Sequence, residues 1–127
     1  MERLFLIVAG INGFLSVALG AFGAHGLRAR LENLPDGARR LEVWQTAAHY
    51  QIAHALALGL VAYLCQRAPA SAAPVAGYLF LAGIVLFSGS LYVLALTGIK
   101  VLGAVTPFGG LCFLAGWLVV VWAAYKS

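Results

Sequence analysis

The chain has 127 residues, 63% of them hydrophobic and 9% charged, whereas a soluble domain carries roughly 25% charged residues. Such a composition leaves too little polar surface to keep a water-soluble globule dispersed. The net charge of +4 comes from a few basic residues at the borders of apolar runs, a pattern of membrane topology and anionic-lipid contact that excludes nucleic acid as a partner.

No Asp, Glu, Lys or Arg occurs between Leu4 and Leu27, Val43 and Gln66, Ala68 and Ile99, or Val101 and Tyr125. A helix needs about 20 mostly apolar residues to cross a bilayer core of about 30 Å, so the chain is expected to cross four times. Barrel strands would alternate polar and apolar residues; Leu56–Leu64 and Leu118–Trp122 do not. The predicted fold class is therefore all-α, a polytopic four-transmembrane-helix bundle forming one domain over 1–127.

Helix 1 is expected over about 4–27. Its leader Met1-Glu2-Arg3 has little net positive charge and its apolar run exceeds that of a secretory signal, so it reads as a retained helix. Gly13, Ser16, Gly20 and Gly23 recur on one face, where small residues let a neighbouring helix approach closely. Asn12 in the same helix needs a partner and should face the bundle. The polar link 28–42 follows, with a turn at Asn33–Gly37 and Asp36 as a cap for a short interfacial helix. Helix 2 is expected over about 43–66, helix 3 over 75–96 and helix 4 over 106–125. Thr106-Pro107 reads as an N-cap followed by proline in the first helical position. Gly109, Gly110 and Gly116 are assigned to close helix contact. They precede no phosphate-binding lysine, which excludes a nucleotide loop.

Four crossings place the link and Lys100 on one side and the termini with the Arg67 loop on the other. Arg28, Arg30, Arg39, Arg40 and Lys100 outnumber Arg3, Arg67 and Lys126. Positive-inside logic then puts the link in the cytoplasm and both termini outside, in a bacterial inner membrane.

Polar groups gather in the half nearest the link. His25 ends helix 1, while Thr46, His49, Tyr50, Gln51 and His54 follow one another along helix 2. His54 lies about 16 Å past Val43 at 1.5 Å per residue, near the level expected for Asn12, Ser88 and Ser90. With Tyr92, these residues make up a candidate polar pocket or ligand-binding set. The bland reading is that each histidine is a neutral hydrogen-bonding group tying helices together. The sharper readings are proton or substrate handling and metal or haem ligation. His49 and His54 project about 140° apart, which suits two interfaces better than one metal ion, so no metal or cofactor is assigned. Cys65 and Cys112 lie in separate runs and form no disulfide or metal framework. No apolar run contains a carboxylate, and no nucleophile–base–orienter set is recognisable, so no catalytic residue is named.

Four blocks in order carry a resemblance: Gly20-Ala21-Phe22-Gly23-Ala24-His25-Gly26; Trp44-Gln45-Thr46-Ala47 with Tyr50-Gln51 and His54-Ala55; Leu86-Phe87-Ser88-Gly89-Ser90-Leu91-Tyr92; and Thr106-Pro107-Phe108-Gly109-Gly110. Together the blocks resemble the YwdK/YgdD-type family of small integral membrane proteins (transmembrane protein 256-like), over essentially the whole chain. The resemblance implies a four-helix membrane protein of a family without an established activity, and it supplies no catalytic residues. The leading expectation is a non-enzymatic scaffold, accessory or lipid-associated bundle whose partners are membrane lipids and a second copy of itself in a homo-oligomer. The alternative is a small channel or carrier using the polar half, with an unidentified small-molecule ligand; a metal- or haem-binding membrane protein comes third.

Overall fold

Each charge-free run becomes a helix, and the first two helices outlast their runs at both ends. The computed structural model describes residues 1–127, all-helical with four long rods. Helix α1 spans Glu2–Leu31, α2 Gly37–Arg67 and α3 Ala73–Thr97; α4 spans Thr106–Lys126 after a 3₁₀ segment, Lys100–Ala104. All four rods are long and apolar enough to cross a membrane. The largest departure from expectation is at the polar link, most of which is helical. Arg28–Leu31 continues α1, and Gly37–Glu42 forms the first turns of α2. Absence of charge marks the part of a helix that sits in hydrocarbon; the helix itself continues into the headgroup layer, where charged side chains are solvated.

Two expected caps are used differently. Asp36 precedes α2 without a side-chain capping bond; its carboxylate instead faces Arg40 at 3.7 Å. Thr106 lies inside α4 and also makes no capping bond, because its hydroxyl pairs with that of Ser90 at 2.7 Å. Pro107 stands in the first turn, where its missing N–H removes nothing. Two rods widen locally into π-helix, α1 over Gly23–Leu27 and α3 over Ile84–Gly89. Helix α3 ends on Gly98 in the left-handed conformation (φ 73°), which favours glycine. The Arg40 guanidinium lies against Gly98 and donates to the terminal carbonyls of Ala95 and Leu96 at 2.9 and 2.8 Å.

Helices α2 and α3 form the central pair, with α1 packed against α2 and α4 against α3. Each antiparallel interface includes two contacts seven residues apart on both helices. Between α1 and α2, the Trp44 indole donates to the Leu19 carbonyl at 2.7 Å, and the Gln51 amide donates to Asn12 Oδ1 at 3.1 Å. Between α2 and α3, Arg40 reaches Ala95, and Ser88 Oγ donates to the Ala47 carbonyl at 2.8 Å. Between α3 and α4, Gly109 lies against the Phe87 backbone and Gly116 against the Phe80 ring. Seven residues, about two turns, return a helix to the same seam at the shallow crossing of about 20° common among membrane helices.

The apolar core divides in two. Phe5, Leu58, Val61, Phe80, Ile84 and Phe113 belong to a large cluster towards the termini. Leu27, Leu31, Trp44 and Ala95 form a smaller one at the link end. Between them lies a polar layer.

The glycines make a direct test of the α3–α4 seam. A Cβ on Gly116 would stand 2.6 Å from Phe80 Cε1, whereas one on Gly13 would meet nothing within 4 Å. Gly116→Ala is expected to lower stability by about 1–3 kcal/mol through overpacking. Gly13→Ala should leave it unchanged or slightly raised, through better helix propensity. Unfolding of both variants in one detergent, followed by circular dichroism, checks the contrast.

Candidate functional site

The polar layer is built on Gln51, 4% exposed in the middle of α2. Tyr92 on α3 donates its hydroxyl to Gln51 Oε1 at 2.7 Å. Gln51 Nε2 donates to Asn12 Oδ1 on α1 at 3.1 Å, and Asn12 Nδ2 donates to the Val8 carbonyl at 2.9 Å. A carbonyl can only accept, so the last bond sets the direction of the others and the orientation of both amides. The result is a one-way relay through three helices.

A second connection joins α2 to α4. Trp117 donates its indole N–H to His54 Nε2 at 3.1 Å, and His54 Nδ1 lies 2.8 Å from the Tyr50 carbonyl. Indole nitrogen is a donor only, so Nε2 accepts and Nδ1 carries the proton: His54 is neutral with both ring nitrogens occupied. The imidazole stacks on Phe113 with centroids 3.6 Å apart. Ser88 and Ser90 are buried as well, the first bonded to α2 and the second to Thr106.

The structure separates the other two histidines from this layer. His25 lies on the exposed side of the π-helical segment of α1, and His49 on the outer stripe of α2 with Glu42 and Gln45. No three His, Cys, Asp or Glu side chains converge on a point. Thr46 donates back to the Glu42 carbonyl at 3.0 Å, and Tyr50 is 40% exposed. Of the small residues of α1, Ser16 and Gly23 are buried, the latter under Trp44, and Gly20 faces Ala48; a Cβ on Gly13 would meet nothing within 4 Å. Gly109 and Gly116 are buried against α3, while Gly110 only borders Phe87.

Beside the layer, a cleft opens between α2 and α4. A cavity of about 570 Å³ is walled by Tyr50, His54, Phe87, Gly110, Phe113 and Trp117, among others. One turn nearer the link, a cavity of about 550 Å³ is bordered by Arg39, Arg40, Val43, Leu91, Lys100 and Thr106, among others.

Three residues central to this geometry lie outside the candidate set drawn from sequence, which reads Arg40 as a link-side cation and Trp44 and Trp117 as interfacial anchors or packing residues. Trp117 had a usable signal. Helices α2 and α4 both start at the link side, and Trp117 stands eleven residues past Thr106 as His54 stands eleven past Val43. Equal depth makes an indole donor available to a buried imidazole. Arg40 and Trp44 donate to backbone carbonyls, acceptors that every residue carries, so no spacing betrays them.

A family model described as "Protein of unknown function (DUF423)" matches residues 19–110. The chain is 47% identical over 125 residues to the UPF0382 membrane protein YwdK of Bacillus subtilis, covering 98% of each chain. It is 44% identical over 124 residues to the UPF0382 membrane protein SERP0230 of Staphylococcus epidermidis, covering 98% of this chain and 97% of the relative. No solved structure matches.

The relay predicts a measurable coupling. Gln51→Leu removes both middle bonds and leaves the Tyr92 hydroxyl and Asn12 carbonyl oxygen facing apolar groups. The expected loss is about 1–3 kcal/mol. A double-mutant cycle pairing Gln51→Leu with Tyr92→Phe, read by unfolding in micelles, should give a coupling of about 0.5–1.5 kcal/mol. Strict additivity would mean the bond is not made.

Proposed function

We propose that this chain, which belongs to the DUF423 family, serves as a non-enzymatic, lipid-associated scaffold or accessory bundle in the bacterial plasma membrane. The observation that carries this reading is the closure of its polar layer. No buried side-chain nitrogen or oxygen lacks a hydrogen-bond partner, and the groups that a carrier would need free are spent on one another. An aqueous path requires polar side chains that face water or substrate. Here the polar side-chain atoms of Asn12, Gln51, Tyr92 and His54 are bonded to protein. Chemistry is disfavoured for the same reason: neither ring nitrogen of His54 is available to a substrate.

Orientation follows the distribution of cations, with Arg28, Arg30, Arg39, Arg40 and Lys100 cytoplasmic and both termini outside. Homo-oligomerisation through α1 belongs to the same reading. Its support is that only 11% of the apolar span of α1 is buried within the chain and that Gly10 and Gly13 leave open space on its outer side.

Two measurements test the proposal. Proteoliposomes containing the purified protein, loaded with pH- and ion-sensitive dyes, should leak no faster than protein-free vesicles, and His54→Ala should change nothing. A flux that the wild type supports and His54→Ala abolishes, with the fold retained, would establish the carrier instead. Orientation is read from single cysteines placed by Asp36→Cys or Ser127→Cys in a Cys65→Ala, Cys112→Ala background. In intact cells an impermeant maleimide should label the Ser127→Cys chain and reach the Asp36→Cys chain only after lysis. The opposite pattern inverts the topology.

A further inference from the structure

We propose that the cleft between α2 and α4 is a binding site for one anionic glycerophospholipid of the leaflet on the link side, with its phosphate at Arg39 and Lys100 and one acyl chain lying down the cleft to His54 and Trp117. This deepens the lipid-associated part of the preceding reading and rests on it; the scaffold role could fail while this site stands.

Continuity comes first. The upper cavity and its neighbour share Arg39, Val43 and Leu91. The neighbour includes Thr46, one turn above Tyr50 in the lower cavity. The other walls keep the same step: Leu91 stands one turn from Phe87, and Thr106 one turn from Gly110. All three helices therefore line the upper and lower cavities with residues one turn apart, in order from the link inward. The length spanned fits a single leaflet. From Val43 to His54 and from Thr106 to Trp117 the helices each rise about 16 Å, half of a hydrocarbon core of about 30 Å.

The chemistry changes along that length as a lipid does. The lower part is walled mainly by aromatic and aliphatic side chains and by Gly110, which leaves its share of the wall open. The upper rim carries Arg39, Arg40 and Lys100 against Asp36 and Glu42. Arg40 is committed to the carbonyls of Ala95 and Leu96 and to Asp36. Arg39 and Lys100 form no salt bridge in the structure, since the only one is that of Arg40 with Asp36. Two unpaired cations at headgroup level, above an apolar slot one leaflet deep, complement a phosphate joined to an acyl chain. A free phosphate would leave the slot without an occupant, and a neutral lipid would leave the cations without one.

Native mass spectrometry of the protein in mild detergent, titrated with phosphatidylglycerol or phosphatidylcholine of the same acyl composition, tests the site. Wild type should hold one phosphatidylglycerol in preference to phosphatidylcholine. Arg39→Gln with Lys100→Gln, both exposed residues outside the packed core, should reduce that preference roughly ten-fold. Gly110→Leu should weaken both lipids alike by placing a side chain in the slot; its Cβ meets only Phe87 at 3.9 Å, so the helix accepts it. Circular dichroism confirms that each variant is folded. Equal retention of the two lipids by wild type overturns the proposal, as does a preference that survives the double substitution. If Gly110→Leu dissociates a dimer and leaves lipid retention intact, the cleft belongs to a second copy and the lipid site falls. None of these outcomes depends on whether the protein conducts ions, so the flux experiment and this one fail separately.

Discussion

The arrangement of this protein depends on the absence of water around Gln51. In hydrocarbon a polar group has no solvent to fall back on, and leaving one unpaired costs several kcal/mol. A primary amide in the middle of α2 therefore has to be answered from both sides, and Tyr92 and Asn12 answer it. Individual bonds of this kind contribute modestly in membranes, about 0.6 kcal/mol on average. What they fix is rotation: turning any of the three helices by one residue, about 100°, would break the relay. The polar layer thus selects one arrangement among the many that apolar faces alone would tolerate.

Translation along the helix axes is fixed by the paired contacts. Trp44 and Gln51 hold α1, while Arg40, the carbonyl of Ala47 and again Gln51 hold α3, so that α2 supplies five ties within twelve residues. Helix α4 is attached by other means. Gly109 and Gly116 let it approach the Phe87 backbone and the Phe80 ring closely, which draws it onto α3. Its direct links to α2 are the Trp117–His54 bond and the stacking of Phe113 on His54. The cleft above and beside these contacts follows from this difference in attachment: α4 is held by the removal of side chains on its α3 side and by two aromatic side chains on its α2 side.

Much of the fold was legible because hydrocarbon imposes a length and a composition on whatever crosses it. The four rods, their order and the gathering of polar residues on α2 could be read from charge and spacing. Helix ends could not be placed as well, since Gly37–Glu42 is helical yet charged, and charge was the signal used to end the span. Within the candidate set, neighbours along α2 looked equivalent. His49 and His54 are both histidines on one helix, and periodicity alone says only that they point differently. Which of the two directions meets protein depends on where α4 lies, and that is decided by glycine contacts between α3 and α4. A feature of one helix was hidden in the packing of two others. Thr106 illustrates the same limit: its position suits a cap, but a buried Ser90 hydroxyl one helix away is the stronger claimant.

The contrast between the faces of α2 accounts for the two roles its residues take. Towards α1 and α3 every polar side chain that is buried has a fixed protein partner, and these contacts hold the bundle together without offering anything to a ligand. Towards α4 the helix presents Val43, Thr46, Tyr50 and His54 in succession, passing from headgroup level to the midplane. There the wall is complete only at its foot, where Trp117 closes on His54. A slot that is closed at the middle of the bilayer and open at its surface admits molecules from one leaflet only. In the lipid site we propose, the same bond that ties α4 to α2 is the foot of the slot and sets the depth of the acyl chain.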